Sequence, residues 1–253
     1  MEQFICQMCG GTIIKQDGVF TCQNCGTKYT AEEVYKIGTA DVQGTENVDD
    51  NLYIMARRAM VDGNDKLALK YYKILATRYS GNWDAIFYFK YFAVKNEPSE
   101  EKLDNLRWSL DKIFYLLIRW SNKTIDELWD TANEIVVKID ELCKFLSNLV
   151  NNDPNYKRKE LSTKDLPDLY DISVLQQQMA ECLEENFPEE SAQVAASYLK
   201  SYVKYSLLRA DEIYKAEALI KYEEKIKAID PNYIPIVQKK VDAIQQEKQE
   251  EQE

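Results

Sequence analysis

Beyond residue 51 the apolar positions recur at steps of three and four, the period of an amphipathic helix. Leu52, Met55, Ala56 and Ala59 share one face, Gly63-Asn64-Asp65 reads as a turn, and Leu67, Ala68, Tyr71, Tyr72 and Leu75 share the next face. Two longer stripes follow, Leu103, Leu106, Leu110, Ile113, Leu117, Trp120 and then Leu128, Ala132, Ile135, Ile139, Leu142, Leu146, Leu149. Such stripes belong on packed antiparallel helices. Each is about three heptads long, the lower bound for a coiled-coil seam. Asn151 to Pro167 reads as a charged, proline-flanked loop. The helical period resumes with Ile172, Leu175, Met179 and Leu183, then over about 191–208, 211–229 and from Ile236 into the tail. After Gln245 the tail is almost all Glu, Gln and Lys, and fraying is expected there.

The first fifty residues carry a different pattern. Thr12-Ile13-Ile14 and Val19-Phe20-Thr21 are β-prone runs around Asp17-Gly18, a two-residue hairpin signal. Thr30 to Tyr35 predicts a short helix, with Thr30 as N-cap and Glu33 closing a capping box. Gly38 to Asn51 is polar without periodicity and reads as a linker. Six of the eight glycines lie in residues 1–44, whereas all six prolines lie from Pro98 onward. The expected organisation is therefore a turn-rich module over 1–37, a linker over 38–51, and an all-α body over 52–253 with about eight or nine helices.

Composition narrows the function. At 45% hydrophobic, with 17 Tyr and 4 Trp, the chain can build a core and is not globally disordered. A net charge of −11 repels phosphate backbones and anionic membranes on average. The longest apolar run, Ile113 to Ile118, is far too short to span a bilayer. The chain has no histidine, which excludes Ser-His-Asp and Cys-His catalysis and His-ligated metals. It also has neither of the common glycine-rich phosphate-binding motifs.

Four cysteines name a chemistry. Cys6 and Cys9 form one C-x-x-C pair, Cys22 and Cys25 a second, twelve residues apart, and glycine follows each pair (Gly10, Gly26). The spacing is that of a tetrahedral four-thiolate Zn²⁺ site held by two facing knuckles, with sulfurs at about 2.3 Å from the metal. A glycine after each pair lets the backbone turn tightly with positive φ. Disulfides would need an oxidising compartment, and no signal peptide is evident. A redox C-x-x-C sits at a helix start and is not usually doubled. One structural Zn²⁺ on Cys6, Cys9, Cys22 and Cys25 is the expectation. Such a site has no open coordination position, so it builds structure and does not catalyse.

Cys6-Gln7-Met8-Cys9-Gly10 and Cys22-Gln23-Asn24-Cys25-Gly26 resemble a zinc ribbon of the rubredoxin-like or transcription-factor type. The helix pair over 52–75 resembles a tetratricopeptide repeat, with Ala56, Ala68 and Tyr72 where that family keeps small residues and an aromatic at its helix crossing. Ala218, Tyr222, Ala228 and Asp230-Pro231-Asn232 resemble the close of such a repeat. The implied fold is a small β-hairpin zinc ribbon followed by a tetratricopeptide-like or bundled all-α body.

Three functions fit. The first is a cytoplasmic adaptor that docks another protein through the helical body and the ribbon. The second is a nucleic-acid-associated regulator using the ribbon. Residues 1–30 sum to zero charge, and four thiolates on one Zn²⁺ add two negative charges, so that ribbon lacks a basic footprint. The third is an enzyme with an unrecognised site in the helical body. The aromatic stretch Trp83 to Phe92 is either a stacking platform or a helix buried on most sides, and burial is the simpler reading. Lys157-Arg158-Lys159 reads as solvated surface, and Cys143 and Cys182, beside apolar stripes, as inert core thiols.

Overall fold

The computed structural model describes residues 4–6, 12–16, 19–24, 26–29, 45–119, 124–152 and 167–250. The chain is mainly helical with a small antiparallel sheet near its N-terminus. It divides into two compact units, Met1–Asn96 and Glu97–Glu253.

In the first unit, strands β1 (Phe4–Ile5), β2 (Thr12–Gln16), β3 (Val19–Cys22) and β4 (Lys28–Tyr29) pair antiparallel in sequence order. Gln16 pairs with Val19, and Asp17-Gly18, where the sequence predicts a two-residue hairpin turn, lies outside the described residues. Three helices follow, α1 (Thr45–Val61), α2 (Asp65–Arg78) and α3 (Trp83–Asn96). Between α1 and α2 the chain reverses at Gly63, whose φ of +68° favours glycine. Asn64 then caps α2, its side-chain oxygen accepting from the Leu67 amide at 3.2 Å.

The core of these helices is aromatic. Tyr72 stacks on Tyr88 with centroids 5.0 Å apart, and Phe92 stacks on both at 6.0 Å. Phe87 and Tyr91 meet Tyr88 edge-on. Pairs of this geometry contribute about 0.5–1.5 kcal/mol each beyond area burial. All five rings are almost fully buried, so the Trp83–Phe92 stretch builds core. A buried carboxylate, Asp84, pairs with Arg57 of α1, whose guanidinium lies 4.8 Å over the Tyr88 ring.

The second unit holds α4 (Glu100–Arg107), α5 (Leu110–Arg119), α6 (Ile125–Asn152), α7 (Leu169–Asn186), α8 (Ala192–Arg209), α9 (Ile213–Glu217), α10 (Ile220–Ile229) and α11 (Val237–Glu250). Helix α7 packs against α4, α5, α6 and α8. It buries Ile172, Leu175, Met179, Ala180, Cys182 and Leu183 in doing so. Its N-terminus carries a complete capping box between Asp168 and Asp171. Both long stripes are buried as predicted over Leu103–Leu117 and Leu128–Leu146, while Leu149 is half-buried.

Several boundaries differ from the sequence expectation. The linker expected over 38–51 overlaps α1, which begins at Thr45. That segment carries a single apolar residue, Val48, and shows no apolar period, yet Glu46, Asp49 and Asp50 carry the negative charge that a helix N-terminus favours. The expected boundary at residue 51 thus falls inside a helix, and the chain divides after Asn96, just before Pro98. The stripe through Leu106 and Leu110 spans two helices, because the Ser109 hydroxyl donates to the Leu106 carbonyl at 2.7 Å and tightens the turn. The helix expected over 211–229 is likewise two, broken at Ala218-Leu219. Helix α11 continues to Glu250, past the point where fraying is expected. The short helix expected at Thr30–Tyr35, most of the Asn151–Pro167 loop and Lys157-Arg158-Lys159 lie outside the described residues.

Glu223 of α10 is 6% exposed and serves α11 from a distance. It accepts from the Ile236 amide at 2.6 Å, the Val237 amide at 3.3 Å and the Tyr233 hydroxyl at 2.9 Å. A carboxylate at a helix N-terminus is a favourable charge–dipole contact, and these are charge-assisted bonds. Replacing Glu223 with Ala orphans buried donors and is expected to destabilise the second unit by about 1–3 kcal/mol. Urea unfolding followed by circular dichroism measures it, and an unchanged midpoint would show that α11 is held without this contact.

Candidate metal centre

Strand register places the described cysteines. Phe4 pairs with Ile13, and Ile13 pairs with Cys22, so these three positions are in register across the sheet. Cys6 stands two residues beyond Phe4 and has the same parity. Phe20 and its partner Tyr29 lie on the face of Ile13 and Cys22, as does Lys15 opposite Phe20. Cys6 is 0% exposed and Cys22 1%. Two thiols therefore sit buried on one face at one end of a small sheet. Cys9 and Cys25, the other two expected ligands, lie outside the described residues.

Around Cys22 the backbone closes a tight turn. The Gly26 amide donates to the Cys22 carbonyl at 2.9 Å, and the Cys22 amide donates to the Thr27 carbonyl at 2.9 Å. The Gln23 amide donates across to the Thr12 carbonyl at 3.0 Å, tying the turn to β2. Gly26 has φ of +71°, the left-handed conformation that glycine adopts without cost. A side chain at this position would be strained, which explains glycine directly after the second cysteine pair.

Tyr29, which no sequence motif singles out, is hydrogen-bonded through Oη to Cys6 Sγ at 2.8 Å. The cross-strand pairing of Phe20 with Tyr29 brings it there, and neither spacing nor composition announces that pairing. Among the described residues no cluster of three or more potential metal ligands forms, and only two of the four expected ligands are described. Cys6 and Cys22 supply soft sulfurs on one face, shielded from water, with a supporting hydrogen bond to one of them.

Among the described residues, the two cysteines of the helical body are held as thiols. Burial pushes the Cys143 thiol well above its ordinary range, and nearby Asp140 adds to the shift. Burial does the same to Cys182, whose thiol donates to Asp111 Oδ1 at 3.2 Å. Thiols held protonated in this way are poor nucleophiles. An open depression of about 350 Å³ is lined by Asp140, Cys143, Lys144, Ser147, Asn148 and Gln176. Its carboxylate, Asp140, already accepts from the Tyr198 hydroxyl at 2.8 Å.

Substituting Cys22 with Ser is expected to abolish metal binding and the order of the sheet, since ligation and folding of so small a module are one event. Most far-UV helicity is expected to remain, because α1–α3 and α4–α11 bury cores of their own. Circular dichroism with metal analysis tests this, and a collapse of helicity would show that sheet and helices share one core. Compared with protein families, with curated proteins and with solved structures, the chain matches none.

Proposed function

We propose that this protein is a zinc-holding adaptor of the cytoplasm that docks another protein. On this reading Cys6, Cys9, Cys22 and Cys25 hold one structural Zn²⁺ in an N-terminal ribbon. The helical body is tetratricopeptide-like and carries the docking surface. The observation that supports it best is the α1–α2 pair. Ala56, Ala68 and Tyr72 are each 0% exposed, and the pair reverses on a single left-handed glycine. Small residues at a helix crossing let two backbones approach closely, which is how helical repeats stack into extended binding surfaces.

Two further observations agree with a protein partner. Buried carboxylates among the described residues are engaged within the fold, Asp84 by Arg57 and Glu223 by the start of α11. Several large apolar side chains face solvent, with Trp108 63% exposed, Tyr115 51%, Leu208 74% and Ile234 73%. Aromatic residues of this exposure are the usual anchors of protein interfaces. The charge of −11 is suited to a soluble adaptor and opposes phosphate backbones.

The test is affinity recovery of the full tagged chain from its native host, with and without nuclease. A near-stoichiometric protein that survives nuclease, and whose recovery falls at least about tenfold with Trp108→Glu and Tyr115→Glu together, is the expected outcome. Recovery of nucleic acid, with the partners lost on digestion and binding that weakens steeply with salt, would contradict the adaptor reading.

A further inference from the structure

We infer that the metal centre extends beyond its four thiolates to Tyr29 and Lys70, which together set its affinity for zinc. This rests on the zinc-ribbon reading above. Four thiolates around one Zn²⁺ carry a net charge of −2, and here the sulfurs of Cys6 and Cys22 are almost fully buried. An anionic cluster removed from water needs hydrogen-bond donors and positive charge close by.

The ribbon's own cations are badly placed to supply that charge. Lys28 pairs with Thr21, so it lies on the opposite face of the sheet from Cys6 and Cys22. Lys15 shares the cysteine face but lies toward the hairpin end, opposite Phe20, with Nζ 5.4 Å from that ring. The positive charge comes instead from α2. Lys70 Nζ lies 3.6 Å from where a Cβ on Gly26 would stand. Tyr29 serves the other side, with Oη 2.8 Å from Cys6 Sγ. Tyr29 thus meets Cys6 directly, and Lys70 stands beside Gly26, whose amide closes the turn onto the Cys22 carbonyl.

Lys70 also ties the metal to the helices. Its helix buries Ala68, Tyr71, Tyr72 and Leu75 in the aromatic core, and the sheet and α2 belong to one unit. Groups of this kind orient ligands and tune their basicity, and losing one typically costs 10–100-fold in metal affinity.

The experiment is zinc competition against a chromophoric chelator, using the full chain and Zn²⁺ alone. Tyr29→Phe and Lys70→Met are each expected to weaken zinc about 10–100-fold while stoichiometry stays at one, and Lys70→Arg to restore most of the loss. Lys73→Met, an exposed charge on the same helix, is expected to stay within about twofold of the parent. In the cobalt-substituted chain, Tyr29→Phe is expected to shift the thiolate-to-metal charge-transfer band, which a mere packing role would not move. A parent chain that binds one zinc, with Tyr29→Phe and Lys70→Met within about twofold of it, would overturn this inference and leave the ribbon reading intact. A parent chain that binds no zinc would remove both.

Discussion

No element of this chain can bury its own apolar surface, and the architecture follows from that constraint. Helices of ordinary length with one apolar stripe are marginal alone and gain stability from neighbours that cover the stripe. In the second unit α7 meets the need by standing among four other helices, burying Leu175, Met179 and Leu183 at 0% exposure. In the first unit three helices close around Tyr72, Tyr88 and Phe92. The sheet is the extreme case. Two of its strands are two residues long, and among its described residues only Cys6, Ile13 and Cys22 are buried. So small an apolar cluster does not hold a sheet together, and domains of this size usually need a metal or a disulfide.

The helical stripes were legible because burial repeats every three or four residues and tolerates local breaks. Leu106 and Leu110 stay in register across the Trp108-Ser109 turn, so the sequence shows one stripe where the backbone makes two helices. The hairpin was legible because Asp17-Gly18 dictates its register, and that register sets Cys22 beside Ile13. The start of α1 was hidden, since Thr45 to Asn51 has one apolar residue, Val48, and no apolar period, and so looks like a linker. Tyr29, Lys70 and Glu223 were hidden for a different reason. Each acts on a residue distant in sequence, Tyr29 on Cys6 across 23 positions and Glu223 on Val237 across 14. No local pattern encodes such pairings.

The site and the helices share a logic in which polar groups are spent on holding the fold. Asp84 anchors Arg57 against an aromatic ring, Asp140 holds the Tyr198 hydroxyl, and Asp111 takes the Cys182 thiol. On the proposed reading, a closed thiolate site would extend the same logic to a metal that crosslinks and does not react. The proposal that function belongs to surfaces rests on the acidic charge and the exposed aromatic side chains, which suit a protein partner.

X-ray absorption at the zinc edge of the full chain, purified without added metal, tests the central claim most directly. The account predicts one zinc per chain with four sulfur scatterers at about 2.3 Å and no lighter ligand. Oxygen or nitrogen scatterers at about 2.0–2.2 Å, or a chain that holds its sheet without metal, would contradict it.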